Sequence, residues 1–89
     1  MSDWIPSSVS NSAFEFLLTD LDTALTFMDV AASTNNVATR QRNHANARRA
    51  YDTVVRSKLK LSLNDTQRKD LAKRLDLLKS RLQKVGQQF

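Results

Sequence analysis

The amino-acid sequence predicts an all-α fold: an antiparallel up-down-up three-helix bundle with a short irregular N-terminal arm. Two observations carry this prediction. The 89 residues include one glycine and one proline, so few positions interrupt a helix. Apolar residues recur at helical spacing in three stretches, and short polar segments separate them. Hydrophobic residues make up 40% of the chain, which is enough for the core of one domain.

The first helix is predicted over residues 12–32. Ser12 and Glu15 have the Ser-x-x-Glu spacing of a capping box, which would start the helix at that point. The apolar residues that follow fall on one arc when they are plotted at 100° per residue. This predicted core face consists of Phe14, Leu17, Leu18, Leu21, Ala24, Leu25, Met28 and Ala32.

Three aromatic residues lie off this core face. Residues 1–11 are predicted to form the irregular arm, because Pro6 opposes a helix that runs through Trp4. Phe16 and Phe27 share another side of the first helix, three turns apart. They would either pack beneath the arm, against Trp4, or form an exposed aromatic interface for a partner or for a second copy.

The second helix is predicted over residues 37–60. Residues 33–36 read Ser-Thr-Asn-Asn, which is the composition of a loop that ends in a helix cap. Ala47 and Ala50 permit close approach of a neighbouring helix, and Tyr51 fills the adjacent space with its hydroxyl at the rim. This helix therefore contributes a narrow apolar face to the core.

The third helix is predicted over residues 65–85. Asn64 and Gln67 have capping-box spacing at its start, and Gly86 is placed to stop it. Its apolar residues follow one another at intervals of four and three, a pattern typical of near-antiparallel helix packing. They are Leu71, Leu75, Leu78, Leu82, Val85 and Phe89.

Charge is divided unevenly along the chain. Residues 1–39 contain five acidic residues and no Lys or Arg, whereas residues 40–89 contain all 14 Lys and Arg and four acidic residues. One interpretation is that an acidic helix lies among basic ones. Asp22 and Asp29, seven residues apart on one polar side, would then be solvated or paired with cations of another helix.

The other interpretation is a basic face for an acidic partner. Arg42, Arg49 and Arg56 recur every seven residues opposite the apolar face of the second helix, and Lys60 extends the row. We call these four residues the cationic ladder. Its role is either to keep an outer surface solvated or to dock an acidic helix, phosphates or RNA.

Catalytic, metal and cofactor sites are not expected. The chain has no cysteine and one histidine, His44, with arginines near it in sequence, whereas zinc-type sites need several converging ligands. A single glycine excludes a glycine-rich phosphate loop, and no nucleophile with a matching base is visible. We also expect no membrane span and no signal peptide, and hence a cytoplasmic location.

The segment Ala-Asn-Ala-Arg-Arg-Ala-Tyr-Asp-Thr-Val at residues 45–54, with the Leu-Ser-Leu-Asn turn after it, resembles a group of small uncharacterised bacterial helical proteins. That resemblance implies a helical fold and a bacterial origin. Ala47, Ala50 and Tyr51 are also similar to the helix contacts of microtubule-interacting-and-trafficking-type three-helix domains and of tetratricopeptide helix pairs. This second likeness implies a module that binds peptides or proteins.

Together, these features predict a non-enzymatic module for protein–protein interaction, with self-association as one form of it. The candidate interface is Trp4, Phe16 and Phe27. The alternative is a nucleic-acid-binding protein that uses the cationic ladder. Against it stands the lack of aromatic residues interleaved with that row. Neither hypothesis requires a cofactor or a small-molecule substrate.

Overall fold

A computed structural model describes the backbone of residues 7–89 and the side chains of residues 11–89. Three α-helices form this part of the chain: α1 (Ser7–Ser33), α2 (Val37–Lys58) and α3 (Asp65–Lys84). They pack around one shared core, so the predicted all-α three-helix bundle is confirmed. The three helices agree with the predicted ones to within two residues, except at the start of α1.

α1 begins at Ser7, and Ser12 lies inside it, so the predicted helix start at Ser12 and the irregular path of residues 7–11 are wrong. Residues 7–11 contain no glycine or proline, and nothing in their chemistry stops a helix from extending through them. A proline directly upstream is compatible with a helix start, since the first turn needs no donated amide hydrogen bond. The predicted conformation of residues 1–6 lies outside the described residues.

α2 starts where its cap was predicted and ends earlier. The Asn36 side chain accepts a hydrogen bond from the Thr39 backbone amide at 2.9 Å, so the predicted cap is confirmed. At the other end, the Lys60 amide donates to the Ser57 carbonyl at 3.0 Å. This hydrogen bond spans three residues instead of four, as in a 3₁₀ turn, and the α-helix ends at Lys58, two residues before the predicted end.

α3 has both of its predicted caps. Asn64 and Gln67 form a reciprocal capping box, in which each side chain accepts from the other's backbone amide at 2.8 and 3.0 Å. Gly86 takes a φ of 97°, and the Gln87 amide donates to the Leu82 carbonyl at 3.0 Å. This is a Schellman ending, which requires the left-handed conformation that glycine adopts without strain.

The core contains residues from all three helices and from the turn before α3. Its buried members are Leu17, Leu21, Ala24, Met28, Ala47, Val54, Leu63, Leu71, Leu75, Leu78 and Leu82. Two details differ from the predicted pattern. Ala31 is buried and Ala32 is exposed, because the buried face of α1 is centred nearer Leu17 than the predicted arc was. Val85 and Phe89 stay 45% exposed, because α3 ends before them.

Ion pairs between helices show the chain directions. Asp22 of α1 binds Arg74 of α3 at 2.8 Å, and Asp29 binds Arg81 at 2.7 Å. Both pairs advance by seven residues in the same sense, so α1 and α3 run parallel. α2, which connects to each of them through a short segment, runs antiparallel between them, giving the predicted up-down-up order.

Leu78→Ala is expected to lower the free energy of unfolding by about 2–5 kcal/mol, because the Leu78 side chain is completely buried and its removal leaves a cavity. The neighbouring Leu77 is 52% exposed and serves as the matched control. Leu77→Ala should change the free energy by about 0.5 kcal/mol or less. Urea denaturation followed by circular dichroism measures both, and equal losses would contradict this description of the core.

Candidate functional site

The most extensive candidate surface is a groove between α1 and α2. Two depressions follow one another along it. The first, about 530 Å³, is lined by Ser12, Ala13, Phe16, Leu17, Ser57, Lys60 and Leu61. The second, about 290 Å³, is lined by Asp20, Phe27, Asn46, Arg49, Ala50 and Thr53. Neither depression has a lining residue from α3, and we call the two together the α1/α2 groove.

Phe16 and Phe27 occupy different positions in this groove. Phe16 is 69% exposed and stands in the first depression. Phe27 is half-buried, packs against the core and lines the second depression. The two rings are thus on the same groove, but only Phe16 offers most of its surface to a partner. Trp4, the third residue of the predicted interface, lies outside the described residues.

The cationic ladder runs beside the phenylalanines on the α2 side of the groove. All four of its side chains are exposed. Arg49 lines the second depression and Lys60 the first, although Lys60 lies in the turn after α2 rather than on the helix. The Arg56 guanidinium reaches to 3.5 Å from the hydroxyl of Thr53, which also lines the groove. Two features that the sequence presents separately therefore form one surface.

The carboxylates of α1 do not reach the ladder. Asp22 and Asp29 pair with Arg74 and Arg81 of α3, so the predicted pairing with cations of another helix is confirmed. Among the residues that the structure describes, no ion pair includes a member of the ladder. Asp20 contributes a carboxylate to the second depression but forms none of these pairs. The groove therefore carries an excess of positive charge.

Apolar surface continues from the first depression around the turn between α2 and α3. Leu59 is 79% exposed there, and it lines a cavity of about 360 Å³ together with Leu61 and Leu63. Leu61 also lines the first depression of the α1/α2 groove. This end of the bundle therefore exposes more apolar area than the sequence pattern indicated, because α2 ends just before Leu59.

The face between α2 and α3 is covered by the chain itself. Arg48 donates a hydrogen bond to the Gln88 carbonyl at 2.6 Å, and its guanidinium lies 3.9 Å from the centre of the Phe89 ring. Tyr51 meets the same ring edge-on, with the ring centres 5.0 Å apart. The sequence pattern placed Phe89 in the leucine row and did not reveal this contact with α2.

His44 lies at the opposite end of the bundle from Phe16. It lines a cavity of about 360 Å³ with Arg40, Arg81 and Lys84, above an apolar floor that includes Met28. Over the described part of the chain, no three His, Cys, Asp or Glu side chains converge where a metal ion could bind. The same residues include no helix with the length and hydropathy of a membrane span.

The chain was compared with models of known protein families, with curated proteins and with solved structures, and none of them matches it. The likeness to small bacterial helical proteins and to the peptide-binding helical domains stays a prediction.

Tyr51 gives a direct test of the covered face, because it is the single tyrosine of the chain. Burial raises the pKa of its phenol above the ordinary 10.0, the carboxylates of Asp76 and Asp52 raise it further, and Arg48 lowers it. Titration of the tyrosinate absorbance should therefore have its midpoint at higher pH in the folded protein than in urea.

The sign of the matching stability change follows from these pKa values. Since the folded state has the higher pKa, this contribution to stability is complete below pH 10.0 and is lost as the pH rises through the pKa of the folded state. Tyr51→Phe, the control, should remove the absorbance signal and this part of the pH dependence. Equal midpoints in the folded and unfolded protein would contradict the described environment.

Proposed function

We propose that this protein is a non-enzymatic protein–protein interaction module that binds a helix of a partner protein in the α1/α2 groove. One observation carries the proposal: the exposed Phe16 lies on the same open groove as Arg49 and Lys60, two members of a cationic ladder that has no ion-pair partner among the described residues. Grooves between helices accept amphipathic helices, with apolar residues of the guest packed against the floor. Arginine and large aromatic residues supply much of the binding energy at such interfaces.

The charge of the groove favours a different protein over a second copy. In a twofold-symmetric dimer, the same patch lies on both sides of the interface. Two α1/α2 grooves that face each other with their α2 edges opposed would bring the two cationic ladders together, with Asp20 as the carboxylate that each groove contributes. Like charges across an interface are unfavourable. We therefore favour a different protein as the partner for this surface, and self-association is the alternative.

The first test uses a displayed library of helical peptides, selected on the wild-type protein. Selected peptides should bind Phe16→Ser at least about tenfold more weakly, which corresponds to about 1.4 kcal/mol of lost contact. They should also bind Arg49→Glu more weakly if the ladder takes part. Fluorescence anisotropy measures each affinity, and circular dichroism checks that the variants remain folded.

The matched controls are on the outer face of α3. Leu77→Ser removes an exposed apolar side chain and Lys73→Glu reverses an exposed charge, and neither residue lines the α1/α2 groove. These variants should bind the selected peptides with wild-type affinity. Phe27 is avoided, because it packs against the core and its loss would also lower stability. Equal binding by Phe16→Ser and Leu77→Ser would refute the proposed site.

A second candidate function is the binding of single-stranded nucleic acid. The structure adds one observation in its favour, since Phe16 and Lys60 line the same depression. Single-strand binding sites combine a cationic groove with aromatic rings on which bases stack. The sequence pattern alone had separated the aromatic residues from the cationic ladder. The half-buried position of Phe27 leaves one well-exposed ring for stacking, which is why we rank this function second.

This second function predicts a specific dependence on salt. Affinity for single-stranded RNA or DNA should fall linearly on a log–log plot against salt concentration, and removing two ladder arginines should reduce the slope by about 1.4. Arg49→Ala with Arg56→Ala is the test variant, and Lys69→Ala with Lys73→Ala on α3 is the matched control. Failure of the wild-type protein to bind either nucleic acid at low salt would exclude this function.

A further inference from the structure

The spacing of the cationic ladder restricts the shape of what can bind it. Arg42, Arg49 and Arg56 repeat every seven residues, so their Cα atoms are about 10.5 Å apart along α2 and turn by only about 20° at each step. A row of this kind is nearly straight and parallel to the helix axis. Carboxylates that repeat every seven residues on another α-helix have the same spacing. Phosphates along one strand of duplex DNA are about 3.4 Å apart along the helix axis, so successive phosphates do not match the arginines one to one.

The protein itself contains a pairing of this type. Asp22 and Asp29 of α1 are seven residues apart, and so are their partners Arg74 and Arg81 of α3. Their oxygen-to-nitrogen distances of 2.8 and 2.7 Å show that both pairs form at once between two neighbouring helices. A seven-residue row of arginines therefore matches a seven-residue row of carboxylates across a helix contact.

The ladder has no such counterpart among the described residues. The α1 carboxylates that have the required spacing point to α3, on the side of α1 away from the ladder. The Arg42 guanidinium contacts the Thr39 hydroxyl at 3.4 Å, and Arg56 contacts the Thr53 hydroxyl at 3.5 Å, so the hydrogen-bond partners of these two arginines among the described residues are neutral groups of their own helix. No described residue of this chain supplies the matching carboxylates, so we look for them on another molecule, and a second copy would offer the same cations.

We infer that the α1/α2 groove takes an acidic amphipathic α-helix of another protein, with one carboxylate per heptad along the edge that faces the cationic ladder. This inference rests on the proposed function and specifies its partner. The apolar edge of the guest helix packs over Phe16 and the part of Phe27 that faces the groove. The ladder from Arg42 to Arg56 spans about 21 Å, so the guest needs about three heptads of helix to use it all.

Synthetic peptides of about three heptads test the charge spacing directly. The first has apolar residues on one edge and one Glu per heptad beside them. The second has the same composition with each Glu moved so that the three carboxylates wind around the helix. The third carries Lys in place of each Glu. We expect the first peptide to bind wild-type protein at least about tenfold more tightly than the second, and the third to bind most weakly.

Charge reversal on the protein provides the matched comparison. Arg49→Glu with Arg56→Glu should abolish the preference for the first peptide and favour the third, whereas Lys69→Glu with Lys73→Glu on α3 should preserve the wild-type order. Phe16→Ser should weaken every peptide that binds in the groove. Isothermal titration calorimetry at low and physiological salt measures these affinities.

The outcomes separate the inference from the proposed function. If the first two peptides bind equally and Phe16→Ser weakens both, the partner helix is not selected by carboxylate spacing, and the inference is wrong while the function stands. If library-selected helices bind regardless of every groove variant, the proposed function fails. A dimer that Phe16→Ser dissociates, or single-stranded RNA that displaces the first peptide at equal concentration, would overturn the inference in favour of that occupant.

Discussion

Four leucines of α3 pack between α1 and α2, and the accessible surfaces of the molecule follow from that contact. Leu71, Leu75, Leu78 and Leu82 are each at most 4% exposed. Full burial of a leucine side chain contributes roughly 1.5–3 kcal/mol, so this row is a major source of stability for a chain of this size. Because α3 covers only one side of the α1–α2 pair, the groove on the opposite side remains open.

The same arrangement sets where charge is neutralised. α3 lies against the side of α1 that bears Asp22 and Asp29, and its arginines pair with both. Exposed pairs of this kind add only about 0.2–1 kcal/mol each to stability. Their main consequence is that they use the carboxylates of α1, so these carboxylates do not neutralise the cations of α2. The cations left unmatched include the cationic ladder, which is why the α1/α2 groove is basic although α1 is acidic.

The grooves on the two sides of α2 differ in what occupies them. On the α3 side, Phe89 lies against Tyr51 and the Arg48 guanidinium, so an aromatic ring and a cation of this protein already meet there. On the α1 side, the Phe16 ring is exposed and the ladder has no ion-pair partner among the described residues. The contact on the face between α2 and α3 is of the kind that we propose for a partner in the α1/α2 groove.

Local chemistry in the sequence determined most of the fold. The caps at Asn36 and Asn64 and the stop at Gly86 follow from hydrogen bonds between residues that are close in the chain, and the structure has all three. The leucine row likewise follows from helical periodicity. The predicted start of α1 at Ser12 was wrong. Ser12 and Glu15 suit an exposed helix surface as well as a cap, and residues 7–11 contain no glycine or proline to break a helix.

The sequence by itself determined three helices, their core faces, and the presence of two phenylalanines and a cationic row outside the core. Only the tertiary structure decided that Phe16 and Lys60 line one depression and that Phe27 is half-buried while Phe16 is exposed. It also decided that Asp22 and Asp29 pair with arginines of α3. The physical reason is that periodicity fixes the side of its own helix on which a residue lies. Which neighbouring helix faces that side depends on how all three helices share one core.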